Sequence, residues 1–368
     1  MKILITTTSY PLNESAWQGQ FVRNLIYALS NKKNMEILLW GPPGETPGAV
    51  EYCATEKEKF WLEKLLNEGG IASLIRTKPL KGIFSALKLL YNLRNVYHRN
   101  KQVDIIHVNW LQNSIPLIYG KCPVIISVLG SDFNLLKLPG MVPVLRTVFK
   151  NRKTILCPNA KWMTESLHEH FGDVATVVHV PYGIDQSFFE LNAYLNKSKP
   201  NKWLAIIRVT ERKIGNLFTW GEKIFSGNNE LHLLGPMQEN VNIPEWCHYH
   251  GPTNPKELVR DWLPSAAGLV TLSQHSEGLP QIILEAMAAG VPVIASDIPG
   301  HTTVVQHKKT GFIVTSESSL KEGIEWLSES SNREYVAHNA KHWVKDNIGT
   351  WDDCADKFIN LYNSIEQK

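Results

Sequence analysis

Between Ser276 and Val314 the chain reads SEGLPQIILEAMAAGVPVIASDIPGHTTVVQHKKTGFIV, an order of residues that few architectures accommodate. The apolar run Gly268 to Val270, closed by Thr271, predicts the end of a strand, and the polar stretch Ser273 to Gly278 predicts a loop. Pro280 suits the first position of a helix, where its missing N–H costs nothing. Gln281 to Ala289 then predicts a helix, stopped by Gly290 with Pro292 just beyond. Val291 to Ala295 is a short apolar strand. Strand, loop, helix and strand in this order form the repeat unit of a parallel sheet with right-handed crossovers.

The same stretch carries chemistry. Glu277 and Glu285 stand eight positions apart, one in the loop and one on the helix. Gly278, Leu279 and Pro280 lie between them and lead the loop into the helix N-terminus, whose free N–H groups and dipole favour phosphate. Glu285 falls about one and a half turns into the helix, beyond the phosphates, where it can accept hydrogen bonds from a pair of ribose hydroxyls. Glu277 can do the same for sugar hydroxyls. A nucleotide sugar, with two phosphates and many hydroxyls, suits this arrangement. Ordinary surface glutamates on a crossover helix are the alternative, and the Gly-Leu-Pro insert and PVIASDIPG tail argue against it.

Strand-like runs recur on both sides of a polar stretch, Glu190 to Lys202. Before it come Ile3–Thr6, Ile37–Trp40, Ile105–Val108, Val124–Val128, Thr154–Cys157 and Thr176–Val180; after it come Trp203–Arg208, Leu231–Leu234, Leu269–Leu272, Val291–Ala295 and Gly311–Val314. Helical stretches separate most of them. The chain of 368 residues, 43% hydrophobic, is long enough for two domains with real cores. No run reaches the roughly 20 apolar residues of a membrane span, and MKILITTTSYP turns polar too soon for a signal peptide. The five scattered cysteines form no C-x-x-C pair, which argues for reduced thiols in a cytoplasmic protein and against a zinc site. The first strand lacks the G-x-G-x-x-G of dinucleotide binders.

The Glu277-to-Glu285 spacing, the Ala-rich helix, Gly290-Val291-Pro292-Val293-Ile294-Ala295 and Thr310-Gly311-Phe312-Ile313-Val314 together resemble the signature of retaining glycosyltransferases of family 4. That resemblance implies the GT-B fold: two α/β Rossmann-like domains whose parallel sheets face across a cleft, with the last helix crossing back to the N-terminal domain. The expected domains are 1–189, completed by 350–368, on the acceptor side, and 200–349 on the nucleotide-sugar side. By resemblance the enzyme retains anomeric configuration through front-face attack, the donor's leaving phosphate oxygen helping to take the acceptor's proton.

Further residues follow from the same comparison. Arg208 and, five residues on, Lys213 match a basic pair that holds the donor diphosphate in similar enzymes, although Ile207 and Ile214 stand where glycines are usual and Gly215 comes one place late. Cations there stabilise the charge that grows on the leaving diphosphate. Gly19 opens a helix after the first strand, where backbone N–H groups can approach a phosphate or sugar; a plain turn is nearly as good a reading. Leu129-Gly130-Ser131-Asp132 matches H-G-S-D except that Leu129 replaces the histidine, and Asp132 is a candidate for sugar hydroxyls or acceptor. His107 reads better as a core histidine, and Pro181 to Asp185 as a structural junction. No D-x-D occurs, so no metal and no separate cofactor is expected, the donor being a substrate and Arg208, Lys213 and the helix end taking a metal's place.

Charge is uneven. Residues 1–185 hold 21 basic and 14 acidic side chains, a net of +7, against 17 and 21 in the rest, a net of −4. From Lys78 to Lys101 there are six Lys/Arg and no acid, with Lys81, Ser85, Lys88, Asn92, Asn95 and Arg99 on one helical stripe and Ile83, Phe84, Leu87, Leu90 and Tyr91 on another. Phe133 to Thr164 repeats the basic bias. A basic amphipathic surface can bind anionic lipid, which would suit a lipid-linked acceptor at the inner face of a plasma membrane and a bacterial cell-surface polysaccharide pathway such as lipopolysaccharide synthesis. A solvated helix face is the plainer reading, and nucleic acid is disfavoured because aromatic residues are not interleaved with the basic ones. Two other functions remain open: a nucleotide-sugar epimerase on the same fold, and a sugar-nucleotide-binding protein without turnover.

Overall fold

The computed structural model describes residues 1–366 except Ser15, Trp17, Ser131, 194–200, Ser226 and Ser276. Most of the Glu190–Lys202 stretch, the motif residues Trp17, Ser131 and Ser276, and the last two residues therefore lie outside the described residues. The chain divides into two compact units, Met1–Tyr182 with Asp352–Lys368, and Gly183–Trp351. The division falls ahead of the polar Glu190–Lys202 stretch because Ile184 and Phe188 are buried in the core of the second unit.

The first unit holds a seven-stranded sheet built from β1 (Lys2–Thr6), β2 (Glu36–Trp40), β3 (Val50–Tyr52), β4 (Ile105–Asn109), β5 (Val124–Val128), β6 (Thr154–Pro158) and β7 (Thr176–Val177) in the order β3-β2-β1-β4-β5-β6-β7. Every pairing is parallel. The second unit repeats the plan with β8 (Lys202–Ile206), β9 (Glu230–Leu234), β10 (Cys247–Gly251), β11 (Gly268–Thr271), β12 (Val293–Ser296) and β13 (Phe312–Val314), ordered β10-β9-β8-β11-β12-β13. Its pairings are also parallel.

Both sheets are covered on two faces, which is why their strands read as continuous apolar runs rather than alternating ones. In the second unit Leu204, Leu269, Val293 and Ala295 fall in one core, with the Gln281–Ala288 helix, while Trp203, Ala205, Val270, Ile294, Phe312 and Val314 fall in the other. Strand residues thus alternate between layers with period two. The strands that sequence periodicity misses are the edge strands β3 and β10, whose VEY and CHYHG sequences carry too few apolar residues to signal.

The Trp351–Glu366 helix rejoins the first unit and is pinned there. Cys354, Ala355, Phe358, Tyr362 and Ile365 are its buried side. Tyr362 Oη lies 2.6 Å from His107 Nδ1, Ser127 Oγ lies 2.8 Å from His107 Nε2, and Phe358 packs on the imidazole at 4.8 Å. Burial holds the His107 pKa down at about 3, so the ring is a neutral hydrogen-bond bridge. The Pro79–Arg99 helix is turned in an unusual sense: Leu89, Asn92, Leu93, Val96 and Tyr97 are buried, whereas Leu80, Ile83, Phe84, Leu87 and Tyr91 face outward.

Candidate functional site

In each sheet the strand order reverses once, between β1 and β4 and between β8 and β11. Loops leaving adjacent strands at such a point diverge and open a crevice beyond the carboxyl ends. Arg208 and Lys213 follow β8, and Glu277 to Pro280 follow β11, so the second unit brings two of the expected site segments to one switch point.

The β8 loop is held by backbone contacts rather than by the glycines of the family pattern. Ile207 N and Val209 N donate to Leu234 O and Pro236 O at 2.9 Å, prolonging the strand path on either side of Arg208. Gly235, at φ 133°, allows this approach: a Cβ there would stand 1.7 Å from Ile207 O. Thr210 then caps the short Glu211–Ile214 helix by accepting from Lys213 N, and Ile214 is buried. Gly215, at φ 54°, passes so close to β11 that a Cβ would meet Leu272 O at 2.1 Å. The glycine that arrives one place late is where the chain needs it. Arg208 is exposed, yet crowding by the protein lowers its pKa, with Glu277 working in the opposite direction; a guanidinium remains cationic all the same.

The β11 loop is stitched to the β8 loop. Gln274 N donates to Arg212 O at 2.9 Å, and Gln274 Nε2 donates to Asn216 Oδ1 at 3.1 Å. Ser273 is fully buried, its carbonyl accepting from Ser296 Oγ at 2.7 Å. Pro280 is the N-cap, one residue earlier than its sequence suggests, and the Gln281–Ala288 helix has no side-chain cap. Ile283 N and Leu284 N donate to Pro280 O at 3.1 and 3.3 Å, and the N–H groups of Gln281 and Ile282 ahead of them have no acceptor among the described residues, the kind of helix end that can take an anion. Gly290, at φ 73°, ends the helix, with Val291 N donating to Ala286 O at 2.9 Å.

Glu277 is the most strongly paired carboxylate in the loop. Lys213 Nζ donates to Glu277 Oε1 at 2.5 Å, and His301 Nε2 stands 3.8 Å from the same oxygen. Burial alone would raise the carboxyl pKa, but His301 and Lys213 outweigh it and hold it at about 2. Because an ammonium has three donors, Lys213 can keep Glu277 and still reach a phosphate. His301 is buried and sits 3.1 Å from Ser296 Oγ and 3.2 Å from Ser296 O. The serine hydroxyl is already donating to Ser273 O, and a carbonyl only accepts, so Nδ1 donates to Ser296, while Nε2 faces Glu277 and donates to it only when it too carries a proton. Gly300 admits this packing, since a Cβ there would stand 2.9 Å from Glu277 O. Sequence reasoning missed His301; its signal was a lone histidine directly after the IPG turn.

Glu285 is the opposite case. It is half-buried, and no hydrogen-bond donor among the described residues reaches its carboxylate. Burial, with Asp185 adding repulsion, pushes its pKa up to about 8. Asp185 is itself held as the cap of the Gln186–Glu190 helix, accepting from Ser187 N at 2.9 Å. One turn before Glu285 on the same face, Gln281 has a buried Nε2 without a partner among the described residues. A carboxylate that costs stability in the protein alone gains most from hydroxyl donors.

The first-unit candidates do not share these traits. Asp132 is buried, and its two carboxylate oxygens accept from Leu111 N and Leu129 N at 2.9 Å each. Burial lifts its pKa to about 6 against the pull of those amides. It brackets the loops that follow β4 and β5. Gly19 has φ 75°, and a Cβ there would stand 2.7 Å from Ser9 C. Its conformational freedom serves a close approach of the chain's own backbone.

The two sheets and their connections define the GT-B architecture, which the chain shares over 99% of its length with solved structures. Sucrose-phosphate synthase from Thermosynechococcus elongatus superimposes with a TM-score of 0.71 at 18% identity, covering 98% of that chain. Anabaena Alr3699/HepE, solved with UDP and glucose, gives 0.63 at 14%, covering 100% of that chain. Residues 222–361 match the family model of glycosyl transferases group 1. The matched stretch includes Glu277 to Pro280, Glu285 and His301; Arg208 and Lys213 precede it. Among curated proteins, spore coat protein SA of Bacillus subtilis is 31% identical over 39% of this chain, and glycosyltransferase 1 domain-containing protein 1 of Xenopus tropicalis 32% over 40%. The matched parts span 38% and 44% of those relatives' own lengths.

Proposed function

We propose that the chain is a glycosyltransferase that moves a sugar from a nucleotide-diphosphate sugar to a hydroxyl of a glycan or lipid-linked acceptor, with retention of configuration. The observation that carries this reading is the convergence at one switch point of two cations, an uncapped helix N-terminus and two carboxylates held in opposite states. Arg208, Lys213 and the first turn of the Gln281–Ala288 helix would take the diphosphate. Glu277, ionised by Lys213 and His301, would accept from sugar hydroxyls, and Glu285, lacking a donor of its own, from the ribose. The chemistry requires charge stabilisation on the leaving diphosphate more than a protein nucleophile, and no residue of the site is placed as one. A retaining, front-face route fits that inventory. The solved structure with UDP and glucose on the same fold supports the donor class.

Thermal shift against UDP-, GDP- and ADP-sugars and the free nucleotides, without added metal, tests the donor reading. One base class should raise the melting temperature of the wild type and fail to do so for Glu285→Ala. Equal shifts in both proteins would remove the ribose assignment.

The outward face of the Pro79–Arg99 helix bears on the acceptor. Leu80, Ile83, Phe84, Leu87 and Tyr91 are each more than half exposed and recur at three- and four-residue spacing, forming one seam flanked by Lys78, Lys81, Lys88 and Arg94. No helix among the described residues is long and apolar enough to cross a membrane. An apolar seam with basic flanks instead suits the interface of an anionic bilayer, where a lipid-linked acceptor would be found. Co-sedimentation with vesicles containing anionic lipid should be strong for the wild type, weak with zwitterionic vesicles, and lost in Phe84→Glu. Binding that survives Phe84→Glu would separate the seam from the membrane.

A further inference from the structure

A second polar cluster lies on the edge of the second sheet, away from the donor loops. β9 carries Glu230 and His232, and β10 carries His248 and His250. Residues two apart in a strand share a face, and the register sets His248 directly against His232. His232 is mostly buried, whereas Glu230 has an exposed carboxylate and His248 an exposed ring. Glu230 Oε2 lies 3.2 Å from His232 Nε2, and one ligand atom from each of Glu230, His232 and His248 falls within 4.8 Å of the others. Tetrahedral zinc holds nitrogen and oxygen ligands at about 2.0–2.2 Å, which separates them by roughly 3.3–3.5 Å. The Glu230–His232 gap is already close to that, and His248, which makes no hydrogen bond among the described residues, can swing to complete the set.

The other edge of His232 is equally organised. Its Nδ1 is 2.9 Å from His250 Nε2, and His250 packs against Trp262 with ring centroids 4.6 Å apart. A metal-bound imidazole hands its remaining N–H to a fixed acceptor, which sets its tautomer. With Nε2 turned to Glu230 and His248, Nδ1–H donates to His250.

We propose that Glu230, His232 and His248 bind one divalent transition-metal ion of the zinc class, with His250 positioning His232 and solvent completing the coordination. Two imidazoles and a carboxylate suit zinc, nickel or copper better than magnesium or calcium, which take oxygen ligands. Glu230 opens β9 and Cys247 opens β10, so the site sits towards the amino ends of the strands, whereas Arg208 and Glu277 follow carboxyl ends. The ion does not reach reacting atoms. It ties β10, an edge strand, to its neighbour β9. Only Glu230 and His232 are near in sequence; strand register brings His248 to them.

Equilibrium dialysis of the full chain against zinc, with parallel thermal melts, tests the site. The wild type should hold one zinc ion per chain and melt at a higher temperature with zinc but not with magnesium. His248→Ala, an exposed substitution that should leave folding and nucleotide binding unchanged, should abolish both effects. His250→Ala should weaken zinc affinity by about 10–100-fold. The exposed His338 and His342, with tilted rings 4.1 Å apart on one helix, offer a rival chelate. His342→Ala should therefore retain zinc. No zinc-dependent shift, retention of zinc by His248→Ala, or its loss in His342→Ala would each overturn the proposal.

Discussion

The two units place acidic residues just past parallel strands and use them in opposite ways. In the first, Asp132 turns onto its own backbone and both oxygens are taken by amides. In the second, Glu277 is held by the side chains of Lys213 and His301, and Glu285 by nothing among the described residues. A carboxylate satisfied by backbone N–H groups stabilises loops. One satisfied by side chains, or left unsatisfied, is available to a ligand. Position after a strand marks candidates for both roles, and the source of the hydrogen bonds separates them.

Substitutions can break this contrast. The largest effect is expected from Arg208→Ala, which should cut transfer by about 100- to 1,000-fold, equivalent to about 2.7–4 kcal/mol, with the melting temperature unchanged. Initial rates with the donor picked out by thermal shift measure it, and unaltered turnover removes the phosphate assignment. Glu277→Gln should destabilise the second unit by at most about 3 kcal/mol at neutral pH. Its folded pKa is depressed to about 2, so that stabilisation is present above about pH 4.5 and lost as pH falls towards 2. Urea melts of wild type and variant should therefore converge in acid; a gap that persists there points to packing instead.

Asp132→Ala should cost roughly 1–3 kcal/mol by orphaning buried amides, while nucleotide affinity stays at the wild-type value. A selective loss of affinity would give Asp132 a role in binding beyond the bracket. The smallest effect has the opposite sign. The Glu285 carboxyl has its folded pKa raised to about 8, so its stabilising effect holds below about pH 4.5 and is lost as pH rises through 8. Glu285→Gln should then stabilise the protein by roughly 1–2 kcal/mol above pH 8, and not near pH 4, while weakening nucleotide binding. Destabilisation at high pH would show that the carboxylate has a donor after all.

Much of this was legible in the chain. Eleven of the thirteen strands announce themselves as apolar runs because both sheet faces are covered, and the Gln281–Ala288 helix is bracketed by Pro280 and Gly290. Glu277 and Glu285 could be picked out by residue type and spacing, and Arg208 and Lys213 by the family resemblance. His301 could not, because its role depends on Gly300 letting a later helix press against the β11 loop. The outward seam of the Pro79–Arg99 helix was visible as a pattern, but not its direction.

The sequence alone determined alternating strands and helices, the helix N-terminus beside two carboxylates, and the excess of positive charge in the first 185 residues. These are local matters of turn chemistry, periodicity and composition. Tertiary structure alone decided that β8 and β11 are neighbours, that Lys213 and His301 meet at Glu277 while Glu285 is left without a donor, and that Asp132 closes on its own backbone. It also decided which histidines share a sheet face. The physical reason is the same throughout: ionisation and hydrogen bonding depend on what is packed within a few ångströms, and in a parallel sheet those neighbours come from distant parts of the chain.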